Sequence, residues 1–362
     1  MRRLLALLAL SVAAPAAAQD VAQDGERQAA AIARADAAAR DRFVRAVEAS
    51  GFAGTYLFYR GTNRIAGGSA GAAVAGVPGG FTAEQVWPWA SVTKQVVAAL
   101  VMQEVEAGRL SLDVPAGRYL PALGASSPTI RQLLQHRAGL RNPDDSAADA
   151  NGFPGFYTTG PGGADWCIAG RGVAGGVPRY NNCDYIVLGA LLARTTRTPL
   201  PVLFQRRIAG PLGLGARFID PAVPGGPDTV WAGGPDAGER QAMARFGAAG
   251  GIEGTAADLA TFDRALLTGS LLSATARAEM WRGDPGFGQS SFALRLTGCV
   301  APVRLVERRG AIGRFAVRNV IAPDLGLSMV LFTNRGDAGP GGGLGDVRRG
   351  LTHDLLSAGA CA

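Results

Sequence analysis

Residues 92–106 read as a helix whose middle, Val96-Val97-Ala98-Ala99-Leu100-Val101-Met102, is apolar on every side, and it ends at Gly108. A helix without a polar face has no place on a surface. Whatever this chain folds into must therefore wrap other elements around that segment. One charged residue sits at its start, Lys94, and it is the only lysine in the chain: of 36 basic residues, 36 − 1 = 35 are arginine. Arginine stays charged in a protein, whereas a buried lysine amine can be tuned to lose its proton. Lys94 follows Ser91 by three residues, which sets the two on one face, one turn apart. With 14 serines in 362 residues, a lone lysine falls at this spacing by chance roughly one time in 25. Ser91 also occupies the helix N-terminus, where serine is a favoured cap and unpaired N–H groups point outward. The macrodipole and burial both disfavour a cation there, so Lys94 should have a depressed pKa and be able to take the serine proton. Ser91 reads as a nucleophile, Lys94 as its base, and the Ser91 amide as one donor to an oxyanion.

Around that segment the chain is organised as strands, then helices, then strands. Gly54–Arg60 reads as a strand, Gly61-Thr62-Asn63 as a turn, and Arg64-Ile65-Ala66 as the start of the returning strand. Residues 19–49 are Ala-, Arg- and Asp-rich, with a helix expected around Phe43–Val47. Thr129-Ile-Arg-Gln132 and Thr255 with Asp258 are helix-start patterns. A further helix follows Asn182, while Arg141–Pro178 is loop-rich and aperiodic. Four strands are expected at 291–296, 303–307, 315–322 and 327–333, and a last helix at Val347–Leu356 carries His353. This order predicts an α+β domain over residues 50–357 with a helical region, about 110–250, inserted between N- and C-terminal sheet segments.

Residues 1–18 have the form of a secretory signal: Arg2 and Arg3, an apolar run from Leu4 to Val12, and a small-residue cleavage site at Ala16-Ala17-Ala18. The run is too short to span a bilayer, so a periplasmic or secreted protein without a stable membrane anchor is expected. Cleavage after Ala18 leaves 34 basic and 29 acidic residues, a net 34 − 29 = +5 spread along the chain. Basic clusters with interleaved aromatics are absent, so no nucleic-acid partner is expected. Cys167, Cys183, Cys299 and Cys361 allow three disulfide pairings; Cys167–Cys183 with Cys299–Cys361 is favoured. The first closes a loop of about 16 residues, worth about 3 kcal/mol on the chain-entropy model. Two histidines without HExxH spacing and no CxxC pair leave no zinc site, and no cofactor is expected. The Gly339–Gly345 run lacks the Gly-Lys-Ser/Thr ending of a phosphate loop and reads as flexible loop.

Several blocks together resemble one family. Ser91-Val-Thr-Lys94 after Trp89-Ala90 is similar to the Ser-x-x-Lys element of the serine β-lactamase and penicillin-binding protein superfamily. Tyr180-Asn181-Asn182, followed by an apolar helix with Leu188-Gly189, resembles its Tyr-x-Asn element. Leu133-Leu-Gln-His136-Arg-Ala-Gly-Leu140 and Gly250-Gly-Ile252 with Thr255–Leu259 resemble two further blocks, in order and spacing from about residue 50 to 335. The class C-like branch is the nearest, with D-peptidases, carboxypeptidases and esterases beside β-lactamases.

The resemblance implies a β-lactamase/transpeptidase-like antiparallel sheet flanked by helices, and a monomeric hydrolase acting through an acyl-Ser91 intermediate. It implies that Tyr180 shares proton transfer with Lys94 and helps activate the deacylating water. Asn182 is to hydrogen-bond Lys94 and the substrate's acyl-side amide, although by itself Asn182 also reads as a helix N-cap. His136 is expected to serve structure, satisfying a helix end or a buried carbonyl. The family's third element, Lys- or His-x-Gly, is here Arg308-Arg309-Gly310 followed by Ala311. Arg308 cannot be a base, but its planar fork suits a substrate carboxylate. The Ala311 amide becomes the second oxyanion donor, next to Gly310 in the substrate-binding strand. Expected substrates are a β-lactam, a D-Ala-type peptide or a small ester.

Two rival readings remain. Gly67-Gly-Ser69-Ala-Gly71 has the nucleophile-elbow pattern, but Ala72–Gly80 is too broken by Gly and Pro to supply the helix that pattern needs. The altered third element also fits a non-catalytic cell-wall sensor, against which stands an intact Ser91, Lys94 and Tyr180.

Overall fold

The computed structural model describes residues 16–71, 80–150, 153–158, 160, 162–220, 222–223, 237–336 and 343–361. Most of the expected secretory signal, all but Gly80 of the Ala72–Gly80 stretch and most of the Gly339–Gly345 run lie outside these residues.

The chain opens with α1 (Ala16–Ala49), a helix of 34 residues where the sequence suggested a helix around Phe43–Val47. Among its described side chains the buried apolar ones are Ala39, Phe43 and Val47, spaced i, i+4, i+8 along one narrow stripe, which fits a segment so poor in large apolar residues. The hairpin β1 (Gly54–Arg60) and β2 (Asn63–Ala70) follows as expected. After the short β3 (Trp87–Pro88), a 3₁₀ turn at Ala90–Val92 leads into α2 (Thr93–Glu106). Eleven residues of α2 are buried, Thr93 to Met102 without a break and then Glu104, so the apolar helix is wrapped on all sides.

The middle of the chain is helical, with short segments joined by loops. It contains α3 (Ile130–Leu134), α4 (Gly163–Ala169), α5 (Asn182–Thr196), α6 (Leu200–Phe204), α7 (Gly210–Leu212) and, after β4 (Arg217–Phe218), α8 (Ala237–Ala244). Both predicted capping boxes form: Thr129 with Gln132 at α3, and Thr255 with Asp258 at α9 (Ala256–Thr268), which follows β5 (Ile252–Gly254). The chain then runs through α10 (Ala274–Met280) into β6 (Ser290–Leu294), β7 (Val303–Ile312), β8 (Phe315–Ala322) and β9 (Leu327–Thr333), and closes with α11 (Leu351–Ala360).

The strands assemble as one antiparallel six-stranded sheet, β2-β1-β9-β8-β7-β6, with a small sheet β3-β5-β4 beside it. β1 pairs with β9, Leu57 opposite Val330, so the N-terminal hairpin and the C-terminal strands form one sheet with the helical region between them in sequence. The α+β architecture with an inserted helical region is the one expected. One face of the sheet carries α2 and the helical region, and the other carries α1 and α11. Cys167 is bonded to Cys183 and Cys299 to Cys361, the favoured pairing. No helix among the described residues is long and apolar enough to cross a membrane.

Candidate active site

Ser91 lies in the 3₁₀ turn before α2, and the cap position belongs to Val92. The expectation of a capping serine is thus corrected: its hydroxyl makes no cap hydrogen bond and turns to Tyr180 instead. Ala90, just before it, is buried with φ of +45°. A non-glycine residue in that region costs about 1 kcal/mol or more and persists only where its surroundings enforce it. Here Trp89 and Ala90 are buried, and the Trp89 amide is tied to the Ile252 carbonyl at 2.8 Å.

β7 supplies the opposite wall. A side chain on Gly310 would put its Cβ 2.8 Å from the Trp89 carbonyl oxygen and 3.0 Å from the Ser91 nitrogen. Glycine therefore lets strand backbone touch the Ser91 turn. β6 pairs with β7 only as far as Glu307, while β8 pairs with it to Ile312, so the edge of β7 beyond Glu307 is left to line the site. Ser91, Tyr180, Arg308 and Ala311 border a cleft of about 360 Å³, joined by Ser290, Glu307 and Arg309.

Lys94 is fully buried. Its Nζ donates to Asn182 Oδ1 at 2.7 Å, to the Ala249 carbonyl at 2.6 Å and to Ser91 Oγ at 3.3 Å. Burial, reinforced by the Arg308 charge, lowers its pKa to about 8. Tyr180 Oη lies 2.6 Å from Ser91 Oγ and donates to Asn182 Oδ1 at 3.2 Å. Its ring has Lys94 Nζ and Arg308 Cζ each 4.8 Å from the centroid. Burial pushes the phenol up, but the two cations and the hydrogen bonds from Lys94 and Ser91 outweigh it and leave the Tyr180 pKa below its ordinary value. The residue as a whole is 40 % exposed, while its hydroxyl is turned onto Ser91 and Asn182. A serine hydroxyl facing a phenol and an amine, both tuned toward losing a proton, can be activated for attack on a carbonyl.

Two asparagines follow Tyr180, and the structure separates their work. Asn181 caps α5 by accepting from the Cys183 amide at 2.8 Å, so Asn182 is not the cap and its side chain is free for Lys94. Arg308 donates from Nε to the Ser91 carbonyl at 3.1 Å, which fixes its guanidinium beside the nucleophile. The His136 ring serves a helix end, as expected: it meets the N-terminus of α5 at the Asn181 cap and at Asp184 in the first turn. Its Nδ1 lies 3.0 Å from Asp184 Oδ2 and accepts from the Asn181 amide at 3.2 Å. Burial, helped by Arg308 and Lys94, holds the His136 pKa well below its usual range, and burial holds Asp184 well above its own, so both shifts favour the uncharged forms. Ser69 of the nucleophile-elbow pattern sits on β2, paired with Thr55, and donates to the Phe81 carbonyl at 2.8 Å. Among the described residues it has no base and no helix behind it.

Sequence reasoning missed the Ala249 carbonyl, Ser290, Glu307 and the pair Tyr157 and Asp144. Tyr157 Oη accepts from Asn182 Nδ2 at 2.9 Å and donates to Asp144 Oδ1 at 3.3 Å. The Gly250-Gly251 block was the one signal near Ala249; nothing marked the other four.

A serine and a lysine at the head of a buried helix, wedged between an antiparallel sheet and an inserted helical region, define the β-lactamase/transpeptidase-like fold. A sequence model of the family described as Beta-lactamase matches residues 39–353. Among solved structures of similar fold is EstCE1, a hydrolase with promiscuous acyltransferase activity, 20% identical with a TM-score of 0.71 over 89% of this chain and 99% of that one. Another is the D-amino acid amidase of Ochrobactrum anthropi SV3 with D-phenylalanine, 21% identical, TM-score 0.69, over 90% and 98%. A D-stereospecific amidohydrolase from a Streptomyces species is 23% identical, TM-score 0.64, over 82% and 94%. The chain belongs to the Beta-lactamase family and is a serine hydrolase of that fold.

Proposed function

We propose that the protein is an exported hydrolase that cleaves an ester or amide carbonyl through an acyl-Ser91 intermediate. The observation that carries this reading is the Ser91–Tyr180–Lys94 triangle around a fully buried lysine with a pKa of about 8. Ser91 Oγ is 2.6 Å from Tyr180 Oη and 3.3 Å from Lys94 Nζ; with Tyr180 ionised and the Lys94 ammonium as its counter-charge, the serine proton passes to the phenolate oxygen. Ser91 Oγ bonds to the substrate carbonyl carbon, and the resulting oxyanion takes the Ser91 and Ala311 amides as donors. The proton then goes to the leaving amine or alcohol as its bond to carbon breaks. Water, activated by the same Tyr180/Lys94 pair, releases the acid and restores Ser91.

Arg308 gives the site a fixed cation beside the nucleophile, which favours substrates with a carboxylate near the scissile bond, β-lactams and D-Ala-type peptides before neutral esters. Similar folds carry names of D-amino acid amidases, a D-stereospecific amidohydrolase and a hydrolase with acyltransferase activity, activities that cleavage at an ester or amide carbonyl would accommodate. A non-catalytic sensor is disfavoured, because burying a lysine costs stability that a mere binding surface does not need to spend. The basic and apolar leader and the two disulfides support export.

Hydrolysis of penicillin, a D-Ala-D-Ala peptide and p-nitrophenyl acetate by the mature protein and three variants tests the reading. Ser91→Ala should abolish all turnover, and Ser69→Ala should leave it intact. Arg308→Gln should raise KM about tenfold for the two carboxylates and leave the neutral ester unchanged. Full turnover in Ser91→Ala would refute the acyl-serine assignment.

A further inference from the structure

The amide of Asn182 works only one way round. With Oδ1 toward Lys94 it accepts from Nζ at 2.7 Å and from the Tyr180 hydroxyl at 3.2 Å. Turned over, it would aim N–H groups at an ammonium and a hydroxyl that both need an acceptor. Nothing in the Asn182 side chain itself chooses between the two orientations; Lys94 and Tyr180 favour one from in front, and a second set of contacts favours the same one from behind.

Behind it the hydrogen bonds form a chain with one direction. Asp144, acceptor-only when ionised, takes the Tyr157 hydroxyl proton on Oδ1 at 3.3 Å. That leaves Tyr157 Oη a lone pair facing Asn182, where Nδ2 donates at 2.9 Å. A second, longer contact from Asn182 Nδ2 reaches Asp144 Oδ1 at 3.4 Å. An oxygen of Asn182 in the Nδ2 position would meet a lone pair and a carboxylate. The Tyr157 ring cannot drift, because it is fully buried, stacked on Phe246 with centroids 3.7 Å apart and planes 9° apart, and packed edge-on by Phe156.

We propose that Tyr157, oriented by Asp144, is a positioning residue that locks the Asn182 amide with its oxygen toward Lys94 and Tyr180. The assignment rests on the acyl-Ser91 chemistry proposed above. It extends the site by a second tyrosine that touches neither the serine nor the cleft. Losing the lock removes an acceptor from the Lys94 ammonium and from the Tyr180 hydroxyl. Both losses favour the deprotonated pair, so the acidic limb of the rate profile moves to lower pH while the rate itself falls.

The test is the pH dependence of p-nitrophenyl butyrate hydrolysis by the full protein and by Tyr157→Phe, which keeps the ring stack, with Asp144→Asn as a second variant and Ser91→Ala as control. In Tyr157→Phe, kcat should fall about tenfold with KM within about twofold of wild type. The acidic limb should move down by about half a pH unit, and Asp144→Asn should move it in the same direction by less. Ser91-dependent turnover with an unmoved limb in both variants, whether or not the melting temperature falls, would overturn this assignment alone and leave Tyr157 as core packing. Turnover that survives Ser91→Ala would overturn the acyl-serine chemistry and this assignment with it.

Discussion

Alternate residues of β8 and β9 enter two different cores. Phe315, Val317, Ile321, Val330 and Phe332 join the core around α2, while Ala316, Val320, Ala322, Met329 and Leu331 join the one under α1 and α11. The second core is a conventional seal: Phe43 stacks on Phe58 at 5.1 Å, and Leu355 and Leu356 close the other side. Arg42 donates to the Ala358 and Cys361 carbonyls at 3.0 and 3.1 Å, satisfying the end of α11. The first core is larger and buries Lys94, Gln95, Asn182, Asp184 and Asp263 among its apolar residues. Polar groups taken out of water cost free energy unless each finds a partner. One face of the sheet thus provides stability, and the other uses some of it to hold tuned groups in place.

The largest expected effect separates proton transfer from charge. Lys94→Arg keeps the cation but cannot give up its proton, so kcat should fall by about 10³ or more while circular dichroism stays native. Near wild-type activity in that variant would erase the distinction between the two cores. On the opposite face, Phe43→Ala should lower stability by about 3–5 kcal/mol in urea titration, with kcat of the folded fraction unchanged. A changed kcat would mean that the two cores are coupled.

Gly310→Ala examines the boundary between sheet and serine. The added methyl forces β7 away from the Ser91 turn, and kcat should drop by about 10–100-fold with little loss of helix content. The smallest effect concerns Asp263, which is fully buried and whose pKa burial raises to about 8, against a hydrogen bond from Asn319 at 2.8 Å. The folded state therefore keeps a proton that the unfolded chain has released. That stability is complete at pH below the ordinary carboxylate range and is lost as pH rises toward about 8. Asp263→Asn should flatten the fall in melting temperature over this window, by several degrees at its upper end. An unchanged pH profile would show that Asp263 is ionised in the fold.

Much of this architecture is legible from local signals in the chain. The all-apolar run around Val97 announced the central helix, two capping boxes marked α3 and α9, and strands at both chain ends with helices between them marked an α+β domain with a helical insertion, though not the pairing of β1 with β9. Ser91, Lys94, Tyr180, Asn182, Arg308, Gly310 and Ala311 lie together around one cleft. The misses have a common cause. Tyr157 and Asp144 lie in the aperiodic stretch Arg141–Pro178, where position depends on loop contacts rather than on period or propensity. By itself Asn182 also reads as a helix N-cap, and that reading failed because the chain enters α5 one residue earlier, with Asn181 as the cap. The length of α1 was hidden because its described side chains form a buried stripe only three residues long, Ala39, Phe43 and Val47, near its C-terminal end.

The central claim is a covalent bond to Ser91. Intact-protein mass measured by rapid quench during penicillin or p-nitrophenyl ester turnover, followed by peptide mapping, tests it directly. An acyl adduct is expected on the peptide containing Ser91, and none in Ser91→Ala. Turnover without an adduct, or an adduct that maps elsewhere, would contradict it.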